Sequence, residues 1–203
     1  MIPAPEALER LKAGNARFTA QLKETGGGRS RRLELTMLQE PFAIILGCSD
    51  ARVPAELVFD QGLGDLFVIR VAGNIVAPSL VGSVEFAAER FHTRLVVVLG
   101  HSQCGAIAAT IEELQRPAAN QSRNLRAIVE RVRPSVEGLL DTEIARDPAA
   151  LARKATRANI GTSVDHLRHG SEVLEQLMMQ KGLMVVGAEY FVETGVVEFF
   201  DSP

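Results

Sequence analysis

The sequence predicts an α/β fold: a mainly parallel central sheet flanked by helices, preceded by an N-terminal helix and closed by a C-terminal antiparallel hairpin. Three observations predict it. Short runs at 42–46, 66–71, 95–99 and 183–188 have strand character and stay apolar through most of their length, as strands covered on both faces do. Helical patterns lie between and after them, which implies crossover connections and parallel pairing. The chain has 203 residues, 46% of them hydrophobic and 23% charged, which suits one core and excludes wholesale disorder.

Each element has its own signal. Residues 6–23 read as a helix, with Leu8, Leu11, Phe18 and Leu22 near a 3-4 spacing. Gly26-Gly27-Gly28 then breaks the pattern. Such a helix is either an arm on another subunit or a surface helix of its own. Residues 54–59 suit a short helix. Residues 78–91 align Val81, Val84, Ala88 and Phe91, and residues 104–114 align Ile107, Ile111 and Leu114. From 120 to 181 the chain reads helical, with breaks at Pro134 and Pro148. Residues 190–199 read as a hairpin around Glu193-Thr194-Gly195.

Lys and Arg number 22, Asp and Glu 25, for a net charge of −3. No basic bias points to nucleic acid or an anionic membrane. The opening residues lack a basic segment followed by an apolar one, so no secretory signal is expected. The apolar runs are too short to span a bilayer. A cytoplasmic location is the expectation. Two cysteines do not make a disulfide framework, so both thiols are available for metal or chemistry.

Cys48 ends the first strand within Gly47-Cys48-Ser49-Asp50-Ala51-Arg52. His101 and Cys104 end the third within Gly100-His101-Ser102-Gln103-Cys104-Gly105. Open parallel sheets bind ligands beyond the carboxyl ends of their strands. Both segments therefore present polar residues at one edge. His-x-x-Cys lets two donors reach one ion from a single turn, and Cys48 supplies a third. Two thiolates and an imidazole suit zinc, and three protein ligands leave a position for solvent, the catalytic pattern. Asp50 and Arg52 stand at i, i+2, where the arginine can hold the carboxylate ionised and oriented. Asp50 is either a partner of the metal-bound solvent or a fourth ligand that closes the site.

These motifs resemble the β-class carbonic anhydrases. The likeness extends to Gly64-Asp65-Leu66-Phe67-Val68-Ile69-Arg70 and to Ala72-Gly73-Asn74. The resemblance implies zinc held by Cys48, His101 and Cys104, and reversible hydration of CO₂ to bicarbonate and a proton. The attacking group would be a zinc-bound hydroxide oriented by Asp50 and Arg52. Gln39 would help bind substrate, the backbone N–H of Gly105 would assist, and Phe67, Ala72 and Phe86 would line the CO₂ pocket. It also implies one domain over residues 1–203 and a homodimer or higher homo-oligomer, with residues 1–30 as an N-terminal helical arm. Some members carry an inhibitory bicarbonate site built from tryptophan, arginine and tyrosine. Here Ile45 replaces the tryptophan, while Arg70 and Tyr190 match the other two. Phe86 stands where plant-like members carry a tyrosine.

Other readings compete. A zinc hydrolase acting on carbon disulfide or carbonyl sulfide fits the same ligands. A non-catalytic zinc or bicarbonate-binding module fits if Asp50 stays on the metal. A cysteine phosphatase needs an arginine six residues past its cysteine, where Pro54 and Thr110 stand. His166 and His169, and the Arg123, Arg126, Arg131 and Arg133 cluster, read as solvated helix faces. His92 reads as a helix end.

Overall fold

The computed structural model describes residues 2–21, 35, 36, 39–117 and 122–200. In chain order the described elements begin with α1 (Ala4–Thr19), β1 (Ala43–Gly47), α2 (Ala55–Val58) and β2 (Leu66–Arg70). A 3₁₀ turn (Ala72–Asn74), α3 (Pro78–Arg90), β3 (Leu95–His101) and α4 (Gly105–Gln115) follow. Next come α5 (Arg123–Val132), α6 (Glu137–Leu140) and α7 (Pro148–His169), then α8 (Glu172–Lys181), β4 (Met184–Tyr190) and β5 (Val197–Phe200). Leu22 and the glycine triplet lie outside the described residues.

The strands form one sheet in the order β2-β1-β3-β4-β5. β1 pairs in parallel with β2 and β3, β3 pairs in parallel with β4, and β4 pairs antiparallel with β5. The chain runs from β1 outward to β2 and then returns to the far side of β1 as β3. The carboxyl ends of β1 and β3 therefore flank a topological switch point, where doubly wound sheets open a crevice.

Side chains alternate across the sheet with period two. Ala43, Ile45, Leu95, Val97 and Leu99 bury one face beneath α1, α2 and Phe59. Ile44, Leu46, Val96 and Val98 bury the other beneath α3, α7 and α8. Burial on both sides explains why the strands read as continuous apolar runs. A third cluster caps the crevice and joins Cys48 and Cys104 to Ile75, Ile107, Val132, Val136 and Ala155.

The structure makes two readings more specific. First, α1 is a packed element of its own chain. Ala4, Ala7 and Leu11 are buried in the core. Gly14 sits so close to α2 that an added Cβ would lie 1.8 Å from the Phe59 carbonyl oxygen. Buried Asn15 donates to the Val58 and Gly195 carbonyls at 3.0 and 2.8 Å and accepts from the Val197 N–H at 2.8 Å. Periodicity identified the helix but carried no information about which surface covers its apolar stripe. Second, the 120–181 stretch is more broken than its pattern suggests. The break expected at Pro148 is present: Pro148 starts α7, and Asp147 caps it by accepting from the Ala149 and Ala150 N–H groups. Ser171 caps α8 in the same way through the Leu174 N–H. No described helix is long and apolar enough to cross a membrane.

Leu11→Ala should lower the unfolding free energy by about 2–5 kcal/mol, read by chemical denaturation. The loss should not depend on protein concentration, because the contact lies within one chain. A loss that grows with dilution would mean that α1 packs on a second copy.

Candidate functional site

Cys48 leaves β1 directly at the crevice. The Ser49 N–H bonds to the Val71 carbonyl and the Val71 N–H to the Gly47 carbonyl, which hold this exit against β2. Arg70 donates from Nε to the Cys48 carbonyl at 3.0 Å and from its terminal nitrogen to the Asp50 carbonyl at 2.6 Å. The Gly73 N–H points at Cys48 Sγ, 3.4 Å away. Gly73 has φ +74°, and a Cβ there would lie 3.0 Å from Ala106 of α4. Glycine meets both the left-handed backbone and the close approach.

His101 is the last residue of β3 and its side chain is fully buried. Its Nδ1 lies 2.8 Å from the Ser102 carbonyl oxygen. A carbonyl only accepts, so Nδ1 carries the hydrogen. In the neutral ring Nε2 then presents a lone pair, and this buried atom makes no hydrogen bond. Cys104 follows after a two-residue turn in which Gln103 has φ +54°. One donor atom each from Cys48, His101 and Cys104 lies within 4.8 Å of the others. Neither cysteine is in a disulfide.

The two thiols shift in opposite directions. A hydrogen bond from Cys104 pulls the Cys48 thiol far below its ordinary pKa against the cost of burial, with His101 and the Gly73 N–H adding to it. The same bond, with burial, pushes Cys104 up. Burial disfavours charge on His101, but Cys48, the Ser102 carbonyl and Asp50 outweigh it and raise its basicity.

Asp50 and Arg52 form a two-point pair. Arg52 Nε donates to Oδ1 at 2.9 Å and its terminal nitrogen to Oδ2 at 2.8 Å, while the Arg52 backbone N–H also reaches Oδ1 at 2.9 Å. The guanidinium holds the Asp50 carboxyl well below the usual carboxylate range. Oδ2 lies 3.9 Å from His101 Nε2, at the margin of the donor cluster. Arg52 also donates to the Gln103 carbonyl at 3.2 Å. That bond ties the two loops together.

The pocket residues divide. Ala72 adjoins Gly73, and Gly105 begins α4 next to Cys104, so both border the cluster. Gln39 is exposed ahead of β1, at the strand end away from Cys48. Phe67 pairs with Ile44 near that same end and stacks with Phe86 and Phe91, centroids 6.3 and 5.9 Å away. Within one chain Gln39 and Phe67 lie toward the opposite end of β1 from Cys48, and Phe86 packs on Phe67. Ile45 is buried in the core and Tyr190 packs in the same face. Arg70, matched in sequence to an inhibitory site, donates to the carbonyls of Cys48 and Asp50. His92, His166 and His169 are exposed, and all three lie outside the donor group.

Sequence reasoning missed two contributors. Gly73 lay within a quoted motif but had no stated role. Glu193 had only a turn assignment, and no motif marks it. Its carboxylate accepts from Ser102 Oγ at 2.7 Å and from Gln103 Nε2 at 2.6 Å.

Comparison with known proteins agrees with this geometry. Residues 43–197 match the family model described as carbonic anhydrase. A carbonic anhydrase of Mycolicibacterium smegmatis is 39% identical over 203 residues, covering 95% of this chain and 91% of that protein. Carbonic anhydrase 2 of Mycobacterium tuberculosis is 35% identical over 190 residues, covering 93% and 89%. Among solved structures, the β-carbonic anhydrase CafA of Aspergillus fumigatus has a TM-score of 0.76 at 25% identity, covering 98% of this chain and 91% of that one. The β-carbonic anhydrase CcaA has a TM-score of 0.75 at 25% identity, covering 96% and 95%. With this sheet and the paired Cys-x-Asp-x-Arg and His-x-x-Cys loops at its switch point, the chain belongs to the β-class carbonic anhydrases.

Proposed function

We propose that this carbonic anhydrase interconverts CO₂ and bicarbonate at a zinc ion held by Cys48, His101 and Cys104. One observation carries the reading: a buried imidazole, fixed by its Nδ1–H, keeps Nε2 free of hydrogen bonds in a group whose donor atoms lie within 4.8 Å of two thiols. Metal-ligating histidines are oriented through their other ring nitrogen in this way. Two sulfurs and one nitrogen match the preferences of zinc. When bound there, zinc supplies a Lewis acid that brings the ionisation of water close to neutral pH.

The chain's own groups do the orienting. Asp50 stays ionised beside Arg52, so its carboxylate only accepts hydrogen bonds. It accepts one from the attacking oxygen and directs that oxygen's free lone pair toward the carbon of CO₂. Arg52 fixes the carboxylate plane by its two-point contact and keeps it from swinging. That contact engages both Asp50 oxygens, which favours the orienting role over direct metal ligation. The backbone N–H of Gly105 and the methyl of Ala72 border the space for substrate.

The same reading includes a homodimer or larger homo-oligomer. β2 is an edge strand, and the partly exposed Phe67 and the 53%-exposed Phe86 sit beside that edge. An open edge with an aromatic patch favours association. A second copy seated there would bring Phe67 and Phe86 to the interface. One structural neighbour, from Sordaria macrospora, is described as a tetrameric β-carbonic anhydrase. A reducing cytoplasm would keep both thiols available for metal.

Stopped-flow CO₂ hydration by zinc-replete protein tests the activity, and no acceleration over buffer between pH 7 and 9 would end the proposal. Cys48→Ala and His101→Ala should each lose zinc and turnover together. Elemental analysis checks this, and stoichiometric zinc in either variant would remove that residue from the ligand set. Asp50→Asn should keep zinc yet lose about 10- to 100-fold in turnover; wild-type kinetics in that variant would dismiss the orienting role. Phe86→Glu should shift the molecular mass by light scattering toward the monomer, and an unchanged assembly would move the interface elsewhere.

A further inference from the structure

We infer that Glu193, in the turn between β4 and β5, is a positioning residue that holds the His101–Cys104 turn in its metal-binding shape. The inference rests on the proposed zinc site. The turn has only two residues between its ligands, and one of them is strained: Gln103, which is not glycine, has φ +54°. Left-handed backbone at a non-glycine persists where surrounding contacts determine it. Here the side chains of both turn residues bond to one carboxylate. Glu193 Oε2 accepts from Ser102 Oγ at 2.7 Å and Oε1 from Gln103 Nε2 at 2.6 Å. Each oxygen holds one of the two residues that separate the ligands.

The neighbouring bonds show what this fixes. Ser102 Oγ also accepts the Val192 N–H at 3.0 Å, and the Ser102 N–H bonds to the Tyr190 carbonyl at 2.9 Å. The Ser102 carbonyl in turn orients the His101 ring at 2.8 Å. The Gln103 carbonyl accepts from Arg52 at 3.2 Å. Glu193 thus bears on the imidazole through Ser102 and on the Asp50–Arg52 pair through Gln103. It touches none of the donor atoms. Its side chain borders a cavity of about 690 Å³ that also reaches Cys104. Truncation at 193 would therefore let water solvate Ser102 and Gln103 rather than leave them buried without partners. The expected consequence is a loosened turn, not an unfolded chain.

The test is zinc affinity by chelator competition, with the absorption spectrum of the cobalt-substituted protein as a second readout. Glu193→Ala should weaken zinc binding about 10- to 100-fold, alter the cobalt bands, and leave the melting of the metal-free protein near wild type. Glu193→Gln keeps the length and one acceptor oxygen, and should recover part of the affinity. Glu198→Ala, on the same hairpin, removes an ion pair with Arg157 of α7; it serves as the control and should bind zinc as wild type does. If Glu193→Ala fails to fold, Ser102→Ala removes the other partner of one clamp bond and should itself weaken zinc binding. Unchanged affinity and cobalt bands in Glu193→Ala, or in Ser102→Ala where that variant must stand in, would overturn the inference. Equal zinc loss in Glu198→Ala would also overturn it, by assigning the effect to hairpin stability. Wild-type protein that binds no zinc would overturn the metal site itself, which separates that failure from failure of the clamp.

Discussion

Everything at this site depends on the parallel register of β1 against β3. Gly47 pairs with Leu99, so Cys48 leaves β1 level with Gly100, one residue before His101. A slip of one position would turn the side chains of a whole strand to the opposite face. The donor set would then separate, because Cys48 and His101 come from different strands and have no covalent link closer than the full β1–β3 connection. The register is held by burial. Five β1 residues and seven β3 residues are all buried, and a slip would drive each face's apolar set against the wrong helices.

Around that register, polar groups are paired almost completely, and the exceptions are informative. Interior polar atoms without partners are rare because each costs on the order of 1–3 kcal/mol. Among the described residues two buried side-chain nitrogens lack one: His101 Nε2 and Asn74 Nδ2. The first belongs to the residue that shares the donor group with Cys48 and Cys104. The second belongs to the 3₁₀ turn whose Gly73 N–H reaches Cys48. Two arginines brace the loop from opposite sides, Arg70 on the backbone carbonyls of Cys48 and Asp50, Arg52 on the Asp50 carboxylate. These bonds hold the loop around the donors. Preorganisation of that kind lets a metal bind without paying to order its ligands.

The sequence was most legible where one residue type admits one physical solution. Continuous apolar runs admit strands buried on both sides, and strand ends β1 and β3 admit a shared edge, so Cys48, His101 and Cys104 could be grouped before any coordinates. Asp50 and Arg52 could be paired from their spacing alone. Legibility failed where the deciding partner was distant. The apolar stripe of α1 looks the same whether it covers its own sheet or another subunit's. Gln39 and Phe67 could be matched to a motif, but strand polarity, which sets them toward the other end of β1 from Cys48, was not part of that match. Arg70 was matched to a charged site, whereas its guanidinium is used on main-chain oxygens, an interaction that leaves no trace in sequence. Glu193 lies about 90 residues from the turn that it grips.

That last contact also explains the length of β4. Its apolar run is shorter than the strand, which continues through Glu189 and Tyr190 because Tyr190 pairs with His101. The extension carries the hairpin turn level with Ser102 and Gln103. The same turn is tied from the other side by Asn15, which donates to the Gly195 carbonyl and accepts the Val197 N–H. A chain of direct contacts therefore runs from α1, through the hairpin, to the two residues between the ligands. The N-terminal helix, although it supplies no group to the donor cluster, is mechanically joined to it. Seating α1 on its own sheet and shaping the metal-binding turn are consequences of one packing arrangement, since the hairpin that receives the first presents the carboxylate that holds the second.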